Sequence, residues 1–212
     1  MPFSLGTTRD IPVRALKPCG LTWSGEYLWF SESVSGQISA LDPVTGTVER
    51  RIACPELCTD LTTMGGNLVQ VVGRTRYLRV IHPVSGEVVT ELPNPRSGHA
   101  LSGLEATRDG VWFGYEDLQL VDLRSTDNWR LIDVIPVRGR VSGLTASDSY
   151  VAYTDYRAGT INMVDYRTGR ELVAYDPPGN PTGITWDGNR IWYCDYTTLQ
   201  LRAIEVPGIS GF

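Results

Sequence analysis

The sequence predicts an all-β fold: a five-bladed β-propeller with four strands per blade, in which an N-terminal strand closes the last blade. Three observations predict it. Gly20-Leu21-Thr22-Trp23, Asp60-Leu61-Thr62-Thr63, Gly103-Leu104-Glu105-Ala106, Gly143-Leu144-Thr145-Ala146 and Gly183-Ile184-Thr185-Trp186 open five similar blocks, which start at residues 20, 60, 103, 143 and 183. A repeat of roughly 40 to 50 residues made of short strands marks a propeller. Apolar residues nowhere recur at i, i+3, i+4 and i+7, so no amphipathic helix is expected.

Each block runs through the same elements. The Gly-Leu-Thr segment is a short apolar strand. A polar turn follows, as in Ser24-Gly25-Glu26, Gly65-Gly66-Asn67 and Asp187-Gly188-Asn189. Next comes an aromatic-rich strand such as Leu28-Trp29-Phe30, Val111-Trp112-Phe113 or Ile191-Trp192-Tyr193. A third strand ends in Leu41-Asp42-Pro43, Ile81-His82-Pro83, Val121-Asp122-Leu123 or Val164-Asp165-Tyr166, and Thr-Gly or Ser-Gly turns follow at Thr45-Gly46, Ser85-Gly86 and Thr168-Gly169. The fourth strand is rich in β-branched residues, as in Val88-Val89-Thr90. Such runs, bounded by Gly, Asp, Asn and Ser, are hairpin grammar. The fifth block lacks a fourth strand after Leu199-Gln200-Leu201-Arg202-Ala203-Ile204. Residues 10–16, Asp10-Ile11-Pro12-Val13-Arg14-Ala15-Leu16, are expected to supply it. The domain is therefore expected to span residues 1–212, closed on itself so that no sheet edge is left at the seam.

Composition narrows the function. The chain has 212 residues, enough for one core, and a net charge of −5, which argues against binding a nucleic-acid backbone. No run of 18 apolar residues suggests a membrane span. The start lacks a basic region followed by an apolar one, so a cytoplasmic protein is expected. Its four cysteines are then expected to be reduced. Among 19 basic residues Lys17 is the sole lysine, which leaves Schiff-base chemistry little to work with. No nucleotide or organic cofactor is indicated.

A propeller brings two sets of loops together at the mouth of its central channel, and convergent polar groups there form the candidate site. Twelve residues after each block start stand Glu32, Val72, Tyr115, Asp155 and Asp195. The carboxylates Glu32, Asp155 and Asp195 could hold a divalent cation, magnesium or calcium, because hard cations take oxygen ligands. Paired or solvated rim charges are the alternative. Two residues after each start stand Thr22, Thr62, Glu105, Thr145 and Thr185. The lone Glu105 on a narrow channel would be desolvated and its pKa raised, as suits a general acid or base. His99, in an entry loop, is a candidate base, and His82 replaces a turn aspartate. Arg74, Arg140, Arg157, Tyr115 and Tyr156 are candidate substrate-binding residues of the mouth, and Trp23 and Trp186 a candidate aromatic wall beside the channel. Cys19, Cys58 and Cys194 gather in one sector, either as buried thiols or as soft-metal ligands.

The blades resemble the streptogramin (virginiamycin B) lyase group and related YVTN and gluconolactonase-like propellers. Gly20-Leu21-Thr22-Trp23, Leu28-Trp29-Phe30-Ser31-Glu32, Gln37-Ile38-Ser39-Ala40-Leu41-Asp42 and Pro181-Thr182-Gly183-Ile184-Thr185 carry the resemblance. The lyases are similar in blade pattern but have seven blades, and use a histidine pair and a glutamate with magnesium. Here His99 is the one mouth histidine. Ser102-Gly103-Leu104-Glu105 also resembles the plant-type five-bladed glutaminyl cyclotransferases, which carry a glutamate near a Gly-Leu opening and rely on a lysine. A small-molecule lyase, cyclase or hydrolase working at the channel mouth is therefore expected, with Glu105 as acid or base and His99 auxiliary. A non-catalytic propeller that binds a protein or ligand over the same face is the alternative.

Overall fold

The computed structural model of the chain describes residues 3–206; of the expected domain, residues 1–2 and 207–212 lie outside the described residues. There are 21 described strands and no helix. Blade one is β3 (Pro18–Trp23), β4 (Leu28–Glu32), β5 (Gln37–Leu41) and β6 (Val48–Ala53). Blade two is β7 (Leu57–Met64), β8 (Asn67–Val72), β9 (Tyr77–Ile81) and β10 (Val88–Leu92). Blade three is β11 (Leu101–Thr107), β12 (Gly110–Tyr115), β13 (Leu120–Arg124) and β14 (Leu131–Pro136). Blade four is β15 (Gly143–Ala146), β16 (Tyr150–Asp155), β17 (Thr160–Asp165) and β18 (Arg170–Asp176). Blade five is β19 (Pro181–Trp186), β20 (Ile191–Asp195) and β21 (Gln200–Ile204), completed by β2 (Arg9–Pro12).

Each blade is an antiparallel meander whose first strand lies on the axis. β3, β7, β11, β15 and β19 pack side by side around it. β2 joins β21 in antiparallel register, from Arg9 opposite Ala203 to Pro12 opposite Gln200, and the Val13 amide adds one more bond to Leu199. The closing strand is shorter than the 10–16 segment expected, because the chain must leave the rim of blade five to reach the axis at β3. A further strand, β1 (Phe3–Ser4), runs parallel to β18 and covers the outer edge of blade four.

Five apolar clusters fill the five gaps between adjacent blades. Trp29 lies in the gap between blades one and two, Trp112 between three and four, and Trp192 between five and one. The middle strands are buried along almost their whole length, whereas the outer strand β10 is exposed at four of its five residues. This gradient explains why aromatic residues recur at one place in each block: burying such a side chain contributes about 1.5–3 kcal/mol. The Asp42 and Asp165 turns form as the repeat predicts, each carboxylate accepting the amides two and three residues on. In blade three Ser125 takes that turn position. Asp122, three residues earlier, is instead buried beneath Arg96 and Arg124.

The inner strands meet closely enough to demand glycine. A Cβ on Gly143 would sit 2.3 Å from the carbonyl oxygen of Thr182, and one on Gly183 2.5 Å from that of Cys19. The Gly that opens most blocks therefore reflects backbone against backbone at the throat of a small ring.

Candidate functional site

Above the throat, the starts of the inner strands and the loops from second to third strands enclose a cup of about 250 Å³. Every blade contributes to its wall. Cys19, Thr59, Ser102, Ser142 and Thr182, each one residue before its block start, form the lower ring, while Lys17, Glu116, Tyr156 and Tyr196 stand above it. The lower ring also joins the blades: the Thr182 hydroxyl donates to the Pro18 carbonyl at 3.0 Å, the Thr59 hydroxyl to that of Leu101 at 3.4 Å, and the Ser102 hydroxyl to that of Val141. Tyr156 and Tyr196 meet edge to face, with centroids 5.3 Å apart. Arg140 reaches Glu116 at 3.3 Å. Lys17 is exposed on the lip.

The thiols of the cup are protonated at neutral pH. Burial pushes the Cys19 thiol up to about 12 and raises that of Cys58 as well. They are therefore weak hydrogen-bonding groups rather than nucleophiles.

Asp60 lies in β7 at the axis. It occupies the block-start position that is Gly in the other four blades, and its side chain is fully buried. One carboxylate oxygen accepts the amides of Leu104 and Leu144, both at 3.0 Å, and the other that of Leu21 at 3.4 Å. One side chain thus binds three other blades. Burial holds its pKa well above the usual carboxylate range, against the pull of those amides.

Glu105 lies further along the axis. Its carboxylate accepts the Thr62 hydroxyl at 3.4 Å, and its second oxygen is buried without a partner among the described residues. Burial, then repulsion from Asp60, raises its pKa well above the ordinary value. Burial thus desolvates Glu105 as expected, but Glu105 is not among the residues that line the cup. His99 sits on the outer rim, held by Asp117 at 3.1 Å, and is likewise outside the cup. The expected acid–base pair is not brought together.

The three candidate metal ligands do other work. Glu32 accepts the amides of Val34 and Ser35, both at 2.9 Å, that of Lys17 at 3.3 Å, and the Ser35 hydroxyl. Asp155 accepts those of Arg140, Arg157 and Ala158 at 2.9–3.0 Å. Asp195 accepts those of Asn180 and Thr197, both at 2.9 Å, and pairs with Arg202 at 2.8 Å. Each carboxylate thus clamps the loop of its own blade to the entry of the inner strand. Burial pushes the Glu32 and Asp195 carboxyls up, but these donors outweigh it and hold both below the usual range. Among the described residues no group of three His, Cys, Asp or Glu is placed to hold a metal ion. The donor set does not fit a divalent cation, since its lone pairs already face amides.

The other candidates divide. Tyr156 lines the cup. Arg140 touches it through Glu116, whereas Arg74 and Arg157 are exposed and stand apart from its wall. Tyr115 is fully buried between blades two and three, so it cannot meet a ligand. Trp23 and Trp186 end β3 and β19 at the face away from the cup, where they pack against inter-blade clusters. Sequence reasoning set Lys17 aside and gave no role to Asp60 or to the hydroxyls just before the block starts, although those residues belong to the entry loops of the mouth. The Asp60 signal was present in the one block that opens on Asp where four open on Gly.

No family model matches the chain, and no curated protein matches it in sequence. Solved structures match its fold. Glutaminyl cyclase from Myxococcus xanthus superposes with a TM-score of 0.76 at 15% identity, over 97% of this chain and 98% of that one. The calcium-binding protein regucalcin from Agrobacterium tumefaciens gives 0.67 at 11% identity, over 100% and 98%. Streptogramin B lyase gives 0.54 at 17% identity, over 94% of this chain and 72% of that one. At these identities the likeness establishes the propeller architecture.

Proposed function

We propose that the protein takes up a small molecule in the cup, with Lys17 beside an anionic or carbonyl group of the ligand and the Tyr156–Tyr196 pair against its flat or apolar part. The observation that carries this is the concavity: residues from all five blades line a space of about 250 Å³. A concavity of that size suits a small ligand better than a flat protein face. The ring of hydroxyls would fix orientation, and the tyrosines would supply apolar area.

Turnover of the lyase, cyclase or hydrolase type is a second reading, favoured by the only lysine of the chain standing on the lip. It would draw on Lys17 and Glu116, because neither Glu105 nor His99 lines the cup. The test is a melting-temperature screen of the intact protein with small carboxylic acids, lactones and amino-acid amides, repeated on Ser142→Phe, which fills the cup, and Lys17→Gln. A stabilising compound that loses its effect in Ser142→Phe supports uptake in the cup. Stabilisation that ignores both substitutions, or none with any compound, refutes it. Mass spectrometry of the bound compound separates turnover from binding: a product formed by wild type but not by Lys17→Gln establishes the second reading.

A further inference from the structure

The cleft between the closing segment and blade one carries two arginines whose side chains nothing else in the described protein engages. It encloses about 300 Å³ between residues 12–15 and the blade-one sheet. Register builds its wall. Phe30, Ser39 and Arg51 are successive cross-strand partners on β4, β5 and β6, so their side chains share one face. Arg50 turns the opposite way and donates to the Pro83 carbonyl in blade two at 2.9 Å. Arg14 enters the same cleft from the closing segment. Among the described residues, neither the Arg14 nor the Arg51 side chain has a hydrogen bond or ion pair. The one acid in the lining, Glu32, is already held by three amides and a hydroxyl.

Two arginines with unpaired side chains lining one cavity, in a chain of net charge −5, form a local positive site rather than part of a basic surface. Guanidinium groups match oxyanions through paired N–H donors. We propose that this cleft binds a doubly charged oxyanion, of the phosphoryl or dicarboxylate class, between Arg14 and Arg51. The ligand bridges the seam of the ring, because Arg14 follows the strand that closes blade five and Arg51 belongs to blade one. Binding therefore stabilises the closed propeller by mass action.

The experiment titrates inorganic phosphate, and separately succinate, into the intact protein at ionic strength held constant with chloride. Melting midpoint and calorimetric heat are both read. A saturable rise in midpoint with matching binding heat is expected. Arg14→Gln and Arg51→Gln, both at exposed positions, should each weaken half-saturation about tenfold or more. Arg50→Gln should leave it unchanged. Saturation by phosphate alone assigns a phosphoryl group, and saturation by succinate a pair of carboxylates. A rise that never saturates and is shared by all variants would be a general salt effect and overturns the proposal, as does the absence of any heat or rise.

Discussion

Replacing Asp60 with alanine should loosen the whole ring, because its carboxylate is the shared acceptor for amides from blades one, three and four. The two bonds at 3.0 Å are well formed and the third, at 3.4 Å, is weak, so two amides dominate the balance. Leaving a buried donor unsatisfied costs about 1–3 kcal/mol. Two such amides amount to about 2–6 kcal/mol, reduced because a desolvated acid is removed with them. The net expectation is a loss of about 3 kcal/mol, a large share of the roughly 5–15 kcal/mol that holds a domain folded. For a domain near this size each kcal/mol shifts the melting temperature by about 2–4 °C, so the midpoint should fall by about 6–12 °C. Asp60→Asn keeps one carbonyl oxygen for the Leu104 and Leu144 amides and should lose less. The assay is a thermal melt followed by circular dichroism at neutral pH. An Asp60→Ala midpoint within about 1 °C of wild type, or an asparagine variant as damaged as alanine, would refute the shared-acceptor argument.

Further expectations concern the axis and the seam. Because the folded-state pKa of Glu105 is raised above its unfolded value, its contribution to stability is greatest in acid and is lost as pH climbs through that raised value. Glu105→Gln should therefore melt above wild type at pH 7–8 and converge with it below about pH 4, the unfolded range. An unchanging difference across that window contradicts the assignment. Gly143→Ala would force a Cβ to within 2.3 Å of the Thr182 carbonyl oxygen, so a drop of several degrees in melting temperature, or loss of soluble protein, is expected. A fully stable variant shows that the throat is wider than described. Ile11→Ala, in the closing strand and 5% exposed, should cost about 2–5 kcal/mol in urea unfolding monitored by tryptophan fluorescence. A change under about 0.5 kcal/mol means that β2 adds little to closure.

The fold was legible because each blade is written in a local grammar. Gly-Leu-Thr at the axis, aromatics on the middle strands and Asp-x-x-Thr-Gly turns all act within one blade or across one gap. The closing strand could be found because an incomplete fifth block left an unsatisfied edge. Side-chain direction was harder. Glu32, Asp155 and Asp195 recur because each must accept amides in its own loop, and the same regularity resembles a ligand ring when read as sequence. Tyr115 shares their position and their burial, but its ring packs into the apolar cluster between blades two and three. Glu105 was read correctly as desolvated. Its place away from the cup follows from the course of β11, along which it stands three residues beyond Ser102 of the cup wall.

Strand β2 also has a history in time. Asp10 and its partner Arg202 are 192 residues apart, so β2 is made long before the strand β21 that it pairs with. Until then it is an orphan strand, available to any passing sheet edge. Long-range pairings of this kind form slowly, and unpaired strands court aggregation while they wait. The segment is suited to waiting. Arg9 and Asp10 carry opposite charges and Pro12 has no amide to donate, features that discourage pairing with the wrong neighbour. Translation order thus makes the clasp of the propeller its last piece to engage, and the composition of β2 answers the demands of that delay as well as those of the finished ring.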